Sequence, residues 1–145
     1  MKKKLVREFW PYETASMADE DMDVRDIVQY FVQNPCIHHV CVVDKDRKLL
    51  GLINRKRMFK SVFSHYVEVE SRISSLFKLL TAEKSTEIML TNVISTTEDA
   101  SIDSVIKTLI ERNIREMPVI DEHGHVLGFI TIVKIMEEWL KEQTS

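Results

Sequence analysis

The sequence predicts a mixed α/β fold, of the α+β kind, built from two copies of one strand, helix, hairpin and helix unit. Three observations predict it. Residues 115 to 134 read as an apolar run, a polar turn containing Gly124, a second apolar run and then Thr131 at the start of a helical period. Two earlier segments carry apolar residues at the offsets of a surface helix: Val24, Ile27, Val28, Phe31 and Val32, then Ile102, Val105, Ile106, Leu109 and Ile110. Finally, Asp121 less Asp44, Gly128 less Gly51 and Lys134 less Arg57 all give 77, and Ile102 less Val24 gives 78. A constant offset over so many positions is an internal duplication with one extra residue near Pro35 in the first copy.

Taken in order, Met1 to Tyr12 places Leu5, Val6, Phe9 and Trp10 at helical spacing before Pro11 interrupts it. A packed N-terminal helix is the plain expectation, and a membrane-surface anchor beside the lysines is the sharper alternative. The first helix ends at Asn34-Pro35. A strand over 38–43, a polar turn over 44–48 and a strand over 49–53 follow, and then a helix with Met58, Phe59, Val62, Phe63 and Tyr66 on one stripe. Between the copies, Ile73, Leu76, Phe77 and Leu80 predict a connecting helix, and Glu87-Ile88-Met89 a short apolar plug. This stretch is not Gly/Ser-rich, so rigid docking of the copies is expected rather than a flexible tether. The last helix carries Ile132, Ile135, Met136, Trp139 and Leu140. The expected domains are 1–13, an N-terminal helical segment; 14–67, the first repeat; 68–91, the connecting helix; and 92–141, the second repeat. One copy alone is too small to bury its sheet, which stacking two copies would solve.

Composition narrows the function classes. An apolar fraction of 44% with 30% charged residues is that of a globular protein. A net charge of -3 gives no footprint for nucleic acid. Two cysteines, Cys36 and Cys41, make a disulfide framework unexpected and a reducing compartment the simple reading. No run reaches the eighteen or so apolar residues of a membrane span, and the basic start lacks a signal-peptide core, so a cytoplasmic location is expected.

The duplicated unit resembles a tandem pair of CBS domains, a Bateman module. In the second copy the resemblance rests on Met117-Pro118-Val119-Ile120-Asp121, Gly124 and Val126-Leu127-Gly128-Phe129-Ile130-Thr131, with Val93-Ile94-Ser95-Thr96 as the strand ahead of the helix. The first copy supplies Val40-Cys41-Val42-Val43-Asp44 and Leu49-Leu50-Gly51-Leu52-Ile53-Asn54, with Cys41 at the proline position and Asn54 at the threonine position. The resemblance covers about residues 14 to 141 and implies two β-α-β-β-α repeats packed through their sheets about a pseudo-two-fold axis, with two clefts between them. It further implies adenosine ligands such as AMP, ADP, ATP or S-adenosylmethionine, a homodimer, and a regulatory output through an effector partner rather than any cofactor-dependent chemistry.

The resemblance implies, after the threonine or serine position and two intervening residues, an aspartate that takes the ribose hydroxyls; the chain departs from this, with Arg57 and Lys134 at those positions. A hydrogen bond to a charged group is worth roughly 1.5–3 kcal/mol, so losing one or two weakens a ribose contact by about ten-fold to several thousand-fold. With Thr131 as N-cap, Lys134 falls at the third helical position, where a cation opposes the helix dipole by about 0.3–1 kcal/mol. Two readings follow. Either both side chains extend into solvent, or helix N-terminal amides with Lys134 or Arg57 form an anion site that favours polyphosphates over adenosine. A third option is internal pairing of Arg57 with Asp19, Glu20 or Asp21. The expected ligand residues are Ile94, Thr96, Thr131 and Lys134 in the second copy and Asn54 and Arg57 in the first, with the second copy the better binder.

Other constellations are weaker. Cys36, His38, His39 and Cys41 have ligand chemistry, but strand alternation splits them between faces. With glycine only at positions 51, 124 and 128 there is no Gly-rich phosphate loop, and the aspartates fall where turns and helix caps use them, Asp121 in the hairpin among them. No catalytic set or metal site is expected. The leading expectation is a non-enzymatic CBS pair that senses a small ligand and signals in trans; the alternative is a ligand-free dimerisation scaffold with degenerate sites.

Overall fold

The computed structural model describes residue 1, residues 3–66 and residues 83–144. It divides into two compact units, one made of Met1–Ala15 with Ile94–Ser145 and the other of Ser16–Val93. The predicted connecting helix through Ile73, Leu76, Phe77 and Leu80 lies outside the described residues.

In the Ser16–Val93 unit, β1 (Met17–Asp19), α1 (Val24–Gln33), β2 (His39–Val43), β3 (Leu49–Asn54) and α2 (Arg55–Phe63) are followed by the short α3 (Ser85–Ile88). Its sheet has the order β1-β2-β3, with β1 parallel and β3 antiparallel to β2. The parallel pair is joined through α1, as a crossover requires, and the antiparallel pair through the tight turn at Asp44. Asp44 Oδ1 accepts from Asp46 N at 2.8 Å and from Lys48 N at 2.9 Å, which closes that turn. Asp23 caps α1 by accepting from Arg25 N at 2.8 Å.

The other unit repeats this with β4 (Thr96–Thr97), α4 (Ile102–Glu111), β5 (Glu116–Ile120), β6 (Val126–Thr131) and α5 (Ile132–Thr144), in the sheet order β4-β5-β6. Asp121 Oδ1 accepts from His123 N at 2.8 Å and His125 N at 2.9 Å, the role in the hairpin that the sequence predicts. Ser101 caps α4 through Ser104 N at 3.2 Å. Even the ladder irregularity repeats: it lies between Val42 and Val43 in one sheet and between Val119 and Ile120 in the other, again 77 residues apart.

The cores match position by position. Ile27, Phe31, Val40, Val42, Ile53 and Met58 in one unit correspond to Val105, Leu109, Met117, Val119, Ile130 and Ile135 in the other. Each sheet therefore buries one face against its two helices.

The leading segments are exchanged. Residues 4–13 precede the first repeat in sequence but pack in the unit of the second, and residues 83–90 precede the second repeat but pack in the unit of the first. Val6 N donates to Ala100 O at 2.9 Å and Ile102 N to Lys4 O at 2.8 Å, while Ser85 N donates to Met22 O at 2.9 Å and Val24 N to Glu83 O at 3.0 Å. Val6 and Phe9 fill one core as Ser85 and Ile88 fill the other. Further along, Glu13 and Phe129 exchange both backbone bonds (3.0 and 2.8 Å), and Leu90 and Leu52 do the same (2.8 and 2.9 Å). The segments thus cover the outer edges of β6 and β3, edges that would otherwise be open to pairing. Two glycines permit this approach. A Cβ on Gly51 would lie 2.6 Å from Leu90 O, and one on Gly128, whose φ is +152°, would lie 2.7 Å from Glu13 O.

Two sequence expectations change here. The N-terminal helix is a 3-10 turn, Val6–Phe9, whose Val6 and Phe9 are buried while Trp10 is exposed. Its apolar face is consumed by protein packing, which removes the basis for a membrane-surface anchor. Val32 and Ile110, read as core stripe, are about three-quarters exposed, because a ten-residue helix laid on a narrow sheet buries only the centre of its stripe. No helix among the described residues is long and apolar enough to cross a membrane.

Candidate functional site

Thr96, Thr131 and Lys134 lie in one unit with Ile94, and Asn54 and Arg57 lie in the other. Within its unit, Thr96 pairs with Val119 on one side of β5 and Thr131 with Glu116 on the other, so the two hydroxyls bracket the central strand. Their separation is on the order of 10 Å along the strand and two strand spacings across it. Val119 and Glu116 are three positions apart, so strand alternation puts Thr96 on the core face with Val119 and Thr131 on the opposite face with Glu116.

Both polar residues that end a hairpin strand serve as helix caps. Thr131 Oγ1 accepts from Lys134 N at 3.1 Å, and Asn54 Oδ1 accepts from Arg57 N at 2.7 Å. Capping uses an acceptor on each side chain and leaves the donors: the Thr131 hydroxyl proton and the Asn54 amide protons. Thr96 is 9% exposed, and its hydroxyl has no hydrogen-bond partner among the described residues. The equivalent first-copy residue is Ala18, which has no hydroxyl to offer. Ile94 packs against the core beside this strand.

The two cations differ. Lys134 Nζ lies 3.6 Å from Glu138 Oε1, an acceptor that Lys141 Nζ also reaches at 3.1 Å. The Lys141 hydrogen bond, with help from the charge of Lys134, holds the Glu138 carboxyl below the usual range. Arg57 has no carboxylate partner among the described residues, and its Nε donates to the carbonyl oxygen of Ile88. Burial lowers its guanidinium pKa, the mark of a cation partly stripped of water without a counter-charge. The proposed pairing of Arg57 with Asp19, Glu20 or Asp21 is absent; the side chain turns instead to the exchanged segment, whose backbone offers a nearer acceptor.

Sequence reasoning missed Glu138 and Ile88. Glu138 was findable, since Lys134 and Glu138 stand at the i, i+4 spacing of a helical ion pair. Ile88 carried no such signal, because a backbone carbonyl 31 residues away is brought close only by folding. Among the described residues no three His, Cys, Asp or Glu side chains group as a metal site, and Cys36 is exposed while Cys41 is buried.

Known proteins share this architecture. The family model for the CBS domain matches residues 3–64 and 85–141. A solved CBS domain-containing protein of Thermotoga maritima is 25% identical with a TM-score of 0.74, covering 97% of each chain. The CBS domain pair of protein MJ0100, solved with 5′-methylthioadenosine and S-adenosyl-L-methionine, is 22% identical with a TM-score of 0.70, covering 96% of this chain and 98% of that one. CBSX2, solved with AMP, is 15% identical with a TM-score of 0.73, covering 96% of this chain and 98% of that one. An uncharacterized protein of Methanocaldococcus jannaschii is 27% identical over 81% of this chain and 82% of its own length. Against a homoserine O-acetyltransferase of Methanosphaera stadtmanae, 25% identical, the match covers 93% of this chain but only 24% of the enzyme. Both matched segments begin at an exchanged leading segment, and each runs on through a full strand, helix, hairpin and helix. The chain is a tandem CBS domain pair and belongs to the CBS domain family.

Proposed function

We propose that this protein is a cytoplasmic, non-catalytic CBS pair that senses an anionic adenine nucleotide and signals, as a homodimer, to an effector protein in trans. The observation that carries the reading is the chemistry of the six ligand positions. Thr96, Thr131, Asn54, Arg57 and Lys134 offer hydrogen-bond donors or positive charge, Ile94 an apolar wall, and no carboxylate stands where a ribose diol would need one. Such a set complements phosphate or carboxylate oxygens. Relatives solved with AMP, or with S-adenosyl-L-methionine and 5′-methylthioadenosine, support the adenine part of the reading. Thr96 supports a contact in the second repeat, since its sheltered hydroxyl lacks a protein partner.

The second reading is a ligand-free interaction scaffold. It is favoured by the pairing of Lys134 with Glu138, which already supplies the lysine with a negative partner. Thermal unfolding in the presence of AMP, ATP, S-adenosylmethionine and cyclic dinucleotides separates the two. A ligand at a hundred times its dissociation constant adds about 2.7 kcal/mol of stability. The sensor reading expects a shift with at least one phosphate-bearing ligand; a flat response to all of them favours the scaffold.

A further inference from the structure

The hairpin turns of the two repeats close in the same way but carry different side chains. Asp44 Oδ1 accepts from the amides of Asp46 and Lys48, and Asp121 Oδ1 from those of His123 and His125. The backbone repeats as well, with Asp44 N donating to Lys48 O and Asp121 N to His125 O, both at 3.0 Å. The turn therefore needs its aspartate, while Asp46 and Lys48 serve it as well as two histidines do. Hairpin closure leaves the paired imidazoles unexplained.

Three relationships organise those imidazoles. His125 Nδ1 lies 3.0 Å from Asp121 Oδ2, the carboxylate oxygen that turn closure does not use. Held by that carboxylate, His125 keeps a proton on Nδ1 and presents the Nε2 lone pair, the arrangement in which a carboxylate orients a histidine toward a metal ion. Nε2 has no partner among the described residues. His123 Nε2 stands 3.4 Å from Glu122 Oε1. That is long for an N–H···O hydrogen bond, but two donors bound to one tetrahedral ion at about 2.0–2.1 Å are also about 3.4 Å apart. The rings of His123 and His125 have centroids 6.1 Å apart. As the side chains stand, no three such donors among the described residues converge on one point. Two imidazoles on one tetrahedral ion have centroids about 5 Å apart. A closing movement of about 1 Å is open to side chains that are 67% and 39% exposed, and it brings His125 Nε2 to the third position.

We infer that Glu122, His123 and His125 form a site for a borderline divalent transition ion such as Zn²⁺, with Asp121 as the positioning carboxylate behind His125. Two imidazoles and one carboxylate suit such an ion, whereas Mg²⁺ and Ca²⁺ take oxygen ligands. Three protein donors leave a fourth position to water or to a donor from another molecule. Only the second repeat carries the set, because the equivalent first-repeat residues are Lys45, Asp46 and Lys48, two of them cations. The site lies within one unit and is independent of the nucleotide positions of the proposed function.

Calorimetric titration of the full chain with Zn²⁺ alone, in a Cys36→Ser background that removes the exposed thiol, tests it. One equivalent of zinc is expected to bind, with no response to Mg²⁺. His123→Gln and His125→Gln should each weaken zinc binding by at least about ten-fold, and Asp121→Asn, which keeps an oxygen for the turn amides, by about ten- to hundred-fold. Circular dichroism checks folding, which substitutions in an exposed turn should leave intact. In NMR spectra the imidazole protons of His123 and His125 should shift with zinc while those of His38 and His39 stay fixed. No zinc uptake by the folded chain, uptake that survives His123→Gln and His125→Gln together, or shifts confined to His38 and His39 would overturn the inference. Parental affinity in Asp121→Asn would overturn the positioning role.

Discussion

The guanidinium of Arg57 donates from Nε to the carbonyl oxygen of Ile88, so the cation at the family's usual acid position in the first repeat ties down the segment that leads into the second. Arg57→Ala removes a charged donor from a buried carbonyl, which costs about 1.5–3 kcal/mol. The loss should concentrate in residues 85–90. Hydrogen exchange at the amides of Leu52 and Leu90, which bond each other's carbonyls, should speed up more than exchange at the Val42 amide.

Gly51 and Gly128 are where the exchanged segments press closest. Gly51→Ala and Gly128→Ala are each expected to cost about 1–3 kcal/mol of overpacking. Gly128→Ala should be the worse of the two, because its φ of +152° adds backbone strain to the clash. Denaturant midpoints compare them. Equal stability of both variants with the parent would show that the segments dock less closely than the backbone distances imply.

Thr96 and Thr131 separate binding from folding. Thr131→Val removes the cap of α5 and should cost about 0.5–2 kcal/mol. Thr96→Val replaces a hydroxyl that bonds nothing in the protein, on a residue 9% exposed, so it should leave stability unchanged or slightly raised. Its effect should appear in nucleotide affinity alone, measured by titration beside a melting curve.

The β5–β6 hairpin should carry a signature of acid. Burial works to raise the Asp121 pKa, but the backbone and ring of His125 and the backbone of His123 outweigh it and hold the carboxyl below its usual value. A depressed folded pKa contributes stability above the unfolded value of about 4, and that stability is lost as pH falls through the folded value. Titration of the Asp121 carboxyl by NMR should therefore lag behind that of a peptide aspartate on acidification, and Asp121→Asn should abolish this part of the acid response.

What could be read in advance followed the range of the interaction. The offset of 77, Thr131 as a helix cap and the hairpin role of Asp121 could be read from the sequence, and the structure reproduces them, with Asn54 capping the matching helix of the first repeat. The exchange of residues 4–13 and 83–90 was hidden, because each segment finds its partners far along the chain and offers no period of its own. Gly51 and Gly128 were visible as a matched pair, yet their reason, the approach of another segment's backbone, is tertiary. Helical spacing likewise marked Phe59 and Met136 as apolar stripe without revealing that the stripe faces outward. The basic residues at positions 57 and 134 were legible in the sequence; that the two cations differ, one beside Glu138 and one on a carbonyl, needed the fold.

The proposed preference is for an anionic nucleotide over its uncharged nucleoside, at positions that carry donors and positive charge but no carboxylate. Calorimetric titration of the purified protein with ATP and with adenosine tests it most directly. The account predicts that ATP binds at least about ten-fold more tightly than adenosine, and that Glu138→Gln, which frees Lys134, tightens ATP further. Equal affinity for the two, or no binding of either, would contradict it.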